Sequence, residues 1–99
     1  MKSLPPGLAA YSRTATFTEA TIPAGLRRAH STKDGAWAEI HVFAGELVYR
    51  VIDPRRAAYE TVLSPDVPAG VIEPTILHEV QPRGPVQFYV EFFRATGVG

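Results

Sequence analysis

The residues best suited to chemistry in this 99-residue chain are its three histidines, His30, His41 and His78. Ile76, His78 and Val80 share one face of a predicted strand, so the imidazole of His78 lies between apolar side chains. Such an imidazole needs a hydrogen bond or a metal ion to offset its lost hydration. A lone histidine of this kind usually binds a backbone carbonyl. Two such histidines, His30 and His78, at matching places in a β pattern favour a shared site.

The composition narrows this chemistry. The chain contains no cysteine, which excludes a disulfide framework, a thiolate zinc site and a cysteine nucleophile. Any metal ion would therefore be held by imidazole, carboxylate and water. Ten basic and ten acidic residues give a formal net charge of zero, so no large cationic field is available to bind nucleic acid or an anionic membrane. We find no nucleophile motif and no phosphate-binding loop.

Short β-strands are the elements predicted to position the histidines. Proline and glycine recur at short intervals, and no apolar stripe with helical spacing runs between them. The segment Ala36–Phe43 alternates, with Ile40 and Val42 on one face and Glu39 and His41 on the other, so we interpret His41 as a surface residue. The other predicted strands, separated by turns at positions such as Gly45 and Gly84-Pro85, are Tyr11–Thr18, Leu26–His30, Glu46–Ile52, Ala57–Leu63, Val71–Glu73, Ile76–Val80 and Val86–Phe93. This pattern predicts one all-β domain over residues 1–99, a sandwich or a jelly roll.

Two stretches of the sequence resemble the two motifs of the cupin family. LRRAHSTKDGAWAEIHVFAGELVYR, which contains His30, is similar to a shortened first motif, and VIEPTILHEVQP, which contains His78, is similar to the second. The whole chain resembles a small cupin-like family, the YeaR-like proteins, which also forms the N-terminal part of the tellurite-resistance protein TehB. The residues that carry this resemblance are Pro23, Gly25, the run from His30 to Trp37, Gly45, Glu73, Pro74, His78 and the aromatic last strand.

This resemblance implies a cupin-type jelly roll (a double-stranded β-helix), a homodimer, and a pocket for a small molecule or a divalent metal ion such as zinc, iron, nickel or manganese. Ala38 and Thr32 stand where the full cupin pattern has a glutamate and a second histidine, so two usual metal ligands are missing. We expect His30 and His78 to bind the ion, with a carboxylate from elsewhere as the third ligand. Glu91 in the last strand is our candidate; the alternative is that Glu91 is a solvated strand residue paired with Arg94 or with a charge of a partner chain.

Four further residues are expected at the pocket as ligand-binding groups. Glu73 precedes the proline of the second motif and is either an alternative metal ligand or a polar wall. Tyr89 shares a strand face with Glu91. Trp37 either walls the mouth of the pocket or packs across a dimer interface. Lys33, in the polar turn after His30, either attracts an anion or is simply solvated, as lysines in turns usually are.

Two functional hypotheses follow from different classes of protein. The first is a cupin-like domain that holds a divalent metal ion through His30 and His78, with open positions for a small anionic ligand in a tellurite or oxyanion stress response. The second is a metal-free small-molecule-binding or homodimeric interaction module without catalytic activity. Whether the protein is an enzyme stays open. The first residues contain no uninterrupted apolar run of the kind that a signal peptide needs, so we expect a cytoplasmic protein.

Overall fold

The computed structural model describes residues 3–96, whose strands form a single antiparallel sheet. The strands are β1 (Leu8–Arg13), β2 (Phe17–Thr18), β3 (Trp37–Val51), β4 (Tyr59–Leu63), β5 (Gly70–Ile72) and β6 (His78–Ala95). A short 3₁₀ helix, Ala24–Arg27, lies between β2 and β3. The described residues contain no α-helix and no helix that could cross a membrane. The prediction of one all-β domain is confirmed.

The two longest strands, β3 and β6, form the centre of this sheet. They pair from Trp37 opposite Phe93 to Val51 opposite His78. The other edge of β3 pairs with β4 and β5, and the other edge of β6 pairs with β1 and β2. The strand order is therefore β1-β6-β3-β4, that of an open sheet, and this order does not confirm a cupin-type jelly roll.

Both central strands continue where the sequence predicted turns. The segments expected as two strands on either side of Gly45 form the single strand β3, and those on either side of Gly84-Pro85 form β6. The pairing of β3 with β6 shifts register between Val42 and Ala44, and again between Gly45 and Leu47. A bulge inserts an extra residue and bends a strand without ending it, and glycine serves a bulge as readily as a turn.

The strand predicted over Leu26–His30 is wrong. Residues Ala24–Arg27 form the 3₁₀ helix, which Pro23 precedes with φ −55°. A hydrogen bond from the Leu26 amide to the Pro23 carbonyl closes its turn. Only His30, at the end of the segment, pairs with another strand, and it does so through an isolated bridge to His78.

The core lies on one face of the bent sheet and draws residues from both sides of the bulges. Ile40, Leu47, Tyr49 and Phe88 are almost fully buried and belong to one apolar cluster. The hydroxyl of Tyr49 donates a hydrogen bond to the carbonyl of Val71 at 2.9 Å, which satisfies its polar atom inside the core. Burial raises the pKa of Tyr49. This face, called the inner face below, is where a cavity opens.

Gly45 should be the most sensitive glycine of the central ladder. Its φ is +77°, and a Cβ atom there would overlap the Pro85 carbonyl oxygen and lie 2.9 Å from the Cα of Val86. Gly45→Ala should therefore lower the free energy of unfolding by about 2–4 kcal/mol, measured by urea denaturation.

Gly84→Ala is the matched control for this prediction. Gly84 also has a positive φ, +75°, but an added Cβ would meet no atom within 4 Å. Gly84→Ala should lower the free energy of unfolding only by the strain of a left-handed alanine, about 1–2 kcal/mol. Equal losses in the two variants would show that the close approach of Pro85 to Gly45 contributes nothing.

Candidate functional site

A cavity of about 250 Å³ lies at the inner face of the sheet. Most of its wall is apolar; strand β6 contributes Phe88 and Val90 among other residues, and β3 contributes Ile40. The 3₁₀ helix contributes Leu26 on another side. His30 and His78 are the titratable residues among the described ones that line it, together with Thr14 and Thr32 as polar neighbours.

The backbone holds His30 and His78 side by side. The amide of each donates a hydrogen bond to the carbonyl of the other, both at 2.8 Å. Residues paired in this way project their side chains toward the same face of an antiparallel pair. The two imidazole rings have centroids 5.4 Å apart and are nearly perpendicular, at 85°. The structure thus brings together the two histidines that the sequence assigned to one pocket.

The environment of His78 fixes its protonation state. His78 is only 3% exposed, and its ring packs edge-on against the ring of Tyr49. Burial lowers the pKa of His78; a hydrogen bond to the Ile76 carbonyl opposes this effect, and the proximity of His30 adds to it. That carbonyl can only accept, so Nδ1, 3.1 Å away, carries the proton. The neutral ring therefore keeps a lone pair on Nε2, available to accept a hydrogen bond or to bind a metal ion.

A buried carboxylate, Asp53, sets the path of the chain into His78. Its Oδ2 accepts a hydrogen bond from the Leu77 amide at 2.9 Å, and it also accepts bonds from the backbone and the guanidinium of Arg55. The guanidinium of Arg55 also donates to the carbonyl of Thr75 at 2.6 Å. These bonds hold the Asp53 pKa well below its usual value, with the Arg55 side chain as the largest cause. Asp53 is a positioning residue that the sequence analysis missed, because the Leu77 amide that it binds is 24 positions away.

Glu91, the expected third metal ligand, lies on the other face of the sheet. Its neighbours Val90 and Phe92 line the cavity, and strand alternation therefore turns Glu91 outward. There its Oε1 lies 3.8 Å from Nε2 of His41, which is 3.1 Å from Oε1 of Glu39. The structure does not bring Glu91 to His30 and His78. It confirms His41 as an outward residue and reveals that His41, Glu39 and Glu91 form a cluster of three potential ligand groups.

Tyr89 and Trp37 also lie on the outer face, because they alternate with buried residues of β6 and β3. The Tyr89 ring stacks on the His41 ring, with centroids 4.9 Å apart and planes at 18°. Trp37 pairs with Phe93 across the ladder and is half-buried. Neither residue lines the cavity that holds the histidine pair.

Glu73 and Lys33 are likewise away from the histidine cavity. Glu73 forms an ion pair with Arg56 at 2.7 Å. It lines a second cavity of about 370 Å³, on the side of β3 that pairs with β4 and β5. Lys33 is exposed in its turn, where its carbonyl accepts a hydrogen bond from the Ala36 amide. Of the residues predicted for the pocket, His30 and His78 are those that line it.

Comparisons with known proteins identify a matching domain family and two solved structures of similar fold. Residues 12–90 match the TehB-like domain family. The structure is similar to TehB from Haemophilus influenzae, with a TM-score of 0.82 and 21% identity over 91% of this chain. It is also similar to a protein from E. coli strain K12, with a TM-score of 0.84 and 21% identity over 98% of this chain and 100% of that one. This chain spans about a third of the TehB chain, 32%. A comparison with curated proteins finds no match.

Replacing Asp53 should weaken the structure that precedes His78 in a pH-dependent way. The native pKa of Asp53 lies below that of the unfolded chain, about 3.9. The ionised carboxylate therefore stabilises the fold fully above about pH 4, and this contribution is lost as the pH falls further. Asp53→Asn should lower the free energy of unfolding at pH 7, and the difference from wild type should shrink below about pH 4.

Urea denaturation at several pH values between about 3 and 7 measures this effect. Asp66→Asn is the control, because Asp66 is an exposed aspartate whose backbone amide, rather than its carboxylate, is hydrogen-bonded. That variant should follow wild type over the whole range. A destabilisation by Asp53→Asn that stays constant with pH would contradict the role given to the ionised carboxylate.

Proposed function

The chain belongs to the TehB-like domain family, and from this premise we propose that it is a small-ligand-binding domain whose inner cavity uses His30 and His78 as polar contacts. The observation that carries the proposal is the make-up of the cavity wall, which joins an apolar surface to a pair of imidazoles. Ligand pockets combine these same features, an apolar lining with a few convergent polar groups.

The size and charge of the cavity restrict the ligand. Its volume of about 250 Å³ is below the roughly 300–1,000 Å³ of pockets for drug-sized molecules, so the ligand is compact. No carboxylate, lysine or arginine is among the described residues that line it. A buried charge on the ligand would therefore remain unpaired, at a high cost in free energy. We infer a neutral, largely apolar molecule.

The state of His78 specifies the polar group of this ligand. Because the Ile76 carbonyl accepts the proton of Nδ1, Nε2 is an acceptor. The matching group is a hydroxyl or an N–H donor. A ligand that lacks such a donor would leave the lone pair of a buried imidazole without a partner, which costs about 1–3 kcal/mol.

A divalent metal ion is the second candidate occupant, and the geometry of the imidazole pair favours it. Two imidazoles that bind one ion at about 2.1 Å have ring centres roughly 5 Å apart. The centroids of His30 and His78 are 5.4 Å apart. Because Glu91 and Glu73 lie elsewhere, the ligand that neutralises the ion would come from solvent. An oxyanion such as tellurite fits this role, and zinc, iron, nickel or manganese accepts such a ligand set.

Metal analysis of the natively purified protein separates the two candidates. Under the ligand proposal, His30→Ala and His78→Ala, each added to His41→Ala, should leave the metal content unchanged. His41→Ala is the background for this comparison, because His41 lies on the outer face in a separate cluster of potential ligands, and its removal leaves the inner pair intact. About one ion per chain that His41→Ala retains, and that the added inner substitutions remove, would replace the ligand proposal with the metal candidate.

Indole is a suitable probe for the ligand itself, because it is apolar, compact and carries one N–H donor. Titration of ¹⁵N-labelled protein should shift the amide signals of Ile40, His78 and Val90 at the cavity wall. N-methylindole has no donor and should bind at least about fivefold more weakly, since Nε2 of His78 would lose its partner. His78→Phe should bind both probes alike.

The homodimer and the cytoplasmic location stay predictions.

Shifts confined to residues outside the cavity in the indole titration would contradict the ligand proposal, whatever the metal analysis gives. Equal affinity for the two probes would remove the role of Nε2.

A further inference from the structure

We propose that Glu39, His41 and Glu91 form a divalent cation site on the outer face of the sheet. The three side chains offer one imidazole nitrogen and two carboxylate oxygens, and these atoms all lie within 4.8 Å of one another. Mixed imidazole and carboxylate ligands suit zinc, manganese, iron and related ions. The site is independent of the inner cavity, because strand alternation places it on the opposite side of β3 and β6.

The ladder itself creates a need for positive charge at this point. Glu39 and Glu91 are direct partners in the pairing of β3 with β6. Like charges directly opposite each other destabilise a sheet. His41 lies between the two carboxylates, 3.1 Å from an oxygen of Glu39 and 3.8 Å from one of Glu91. The two carboxylates are ligand groups of one sign, which a divalent cation bound between them would balance.

The arginine that pairs with Glu91 across the sheet does not supply this charge. Arg13 pairs with Glu91 in the register of β1 and β6, but its guanidinium lies over the Tyr89 ring, 4.7 Å from the centroid. Among the described residues, it forms no ion pair with Glu91. Tyr89 is thus in contact with Arg13 and with the His41 ring, whose stacking keeps the imidazole in place beside both carboxylates.

The distances agree with ligands that share one ion after a small side-chain movement. Two atoms bound to the same ion at about 2.1 Å lie roughly 3–4 Å apart. The separations of 3.1 and 3.8 Å meet this condition. The widest separation, up to 4.8 Å, closes through rotation of the half-exposed glutamate side chains. The inner cavity is a separate site, because its histidines are His30 and His78 and the histidine of this cluster is His41.

The only tryptophan of the chain provides a direct assay. Trp37 lies on the outer face two positions before Glu39, so a paramagnetic Co²⁺ ion bound at the cluster should quench its fluorescence. Zn²⁺ binding is measured separately by equilibrium dialysis. Glu39→Gln, His41→Gln and Glu91→Gln should each weaken binding of both ions at least about tenfold. Glu39→Gln and Glu91→Gln each remove the like-charge repulsion between the two carboxylates, so both variants should fold as well as wild type.

Two controls keep the result specific. Glu46→Gln makes the same chemical change at an exposed carboxylate whose nearest cation is Arg83, at 3.9 Å, and should leave the affinity within about twofold. Glu60→Gln should do the same, because Glu60 is an exposed carboxylate of β4 that pairs with Arg50. Zn²⁺ should also raise the melting temperature of wild type but not of Glu39→Gln. Unchanged affinity in the three cluster variants, or the absence of saturable quenching, would overturn the proposal.

Discussion

The structure depends on one constraint, the unbroken pairing of β3 with β6 through their bulges. All the other strands join the sheet along the outer edges of these two, so their positions follow from the central ladder. The ladder stays continuous because Gly45 adopts a positive φ and has no side chain where Pro85 approaches. The bend at this point turns core residues from both halves toward one interior. The cavity is thus a consequence of how the two strands bend.

Strand alternation then divides the histidines between two surfaces. His78 begins β6 on the inner face, with an apolar lining, burial that lowers its pKa and a hydrogen bond that places a proton on Nδ1. His41 lies on the outer face between Glu39 and Glu91, in contact with solvent and with acidic groups. The imidazoles of His41 and His78 therefore have opposite surroundings, although they belong to neighbouring strands. Under our two proposals the inner site would bind a neutral donor and the outer site a cation, so that one small sheet would carry two unrelated ligands.

The sequence predicted the fold class and the faces of the strands more accurately than the partners across them. The alternation around Ile40 gave His41 its outward position correctly, because a period of two is visible within one strand. Gly45 was interpreted as a turn, since local sequence does not distinguish a turn from a bulge. Glu91 was assigned to the inner pair, although its own alternation with Val90 placed it outward. The role of Asp53 depends on a contact with Leu77, and no local pattern records such a long-range bond.

The bridge between His30 and His78 has a consequence for how molecules reach the cavity. The segment that carries the 3₁₀ helix is joined to β6 at His30 by two hydrogen bonds, while β3 and β6 pair along most of their length. Its helix has no buried residue, although Leu26 packs against the core. Regions with few buried contacts open locally at a free energy well below that of global unfolding. Local opening of this segment would separate the two imidazoles and admit a molecule while the sheet stays folded. A ligand in the cavity would then stabilise the closed position of this segment.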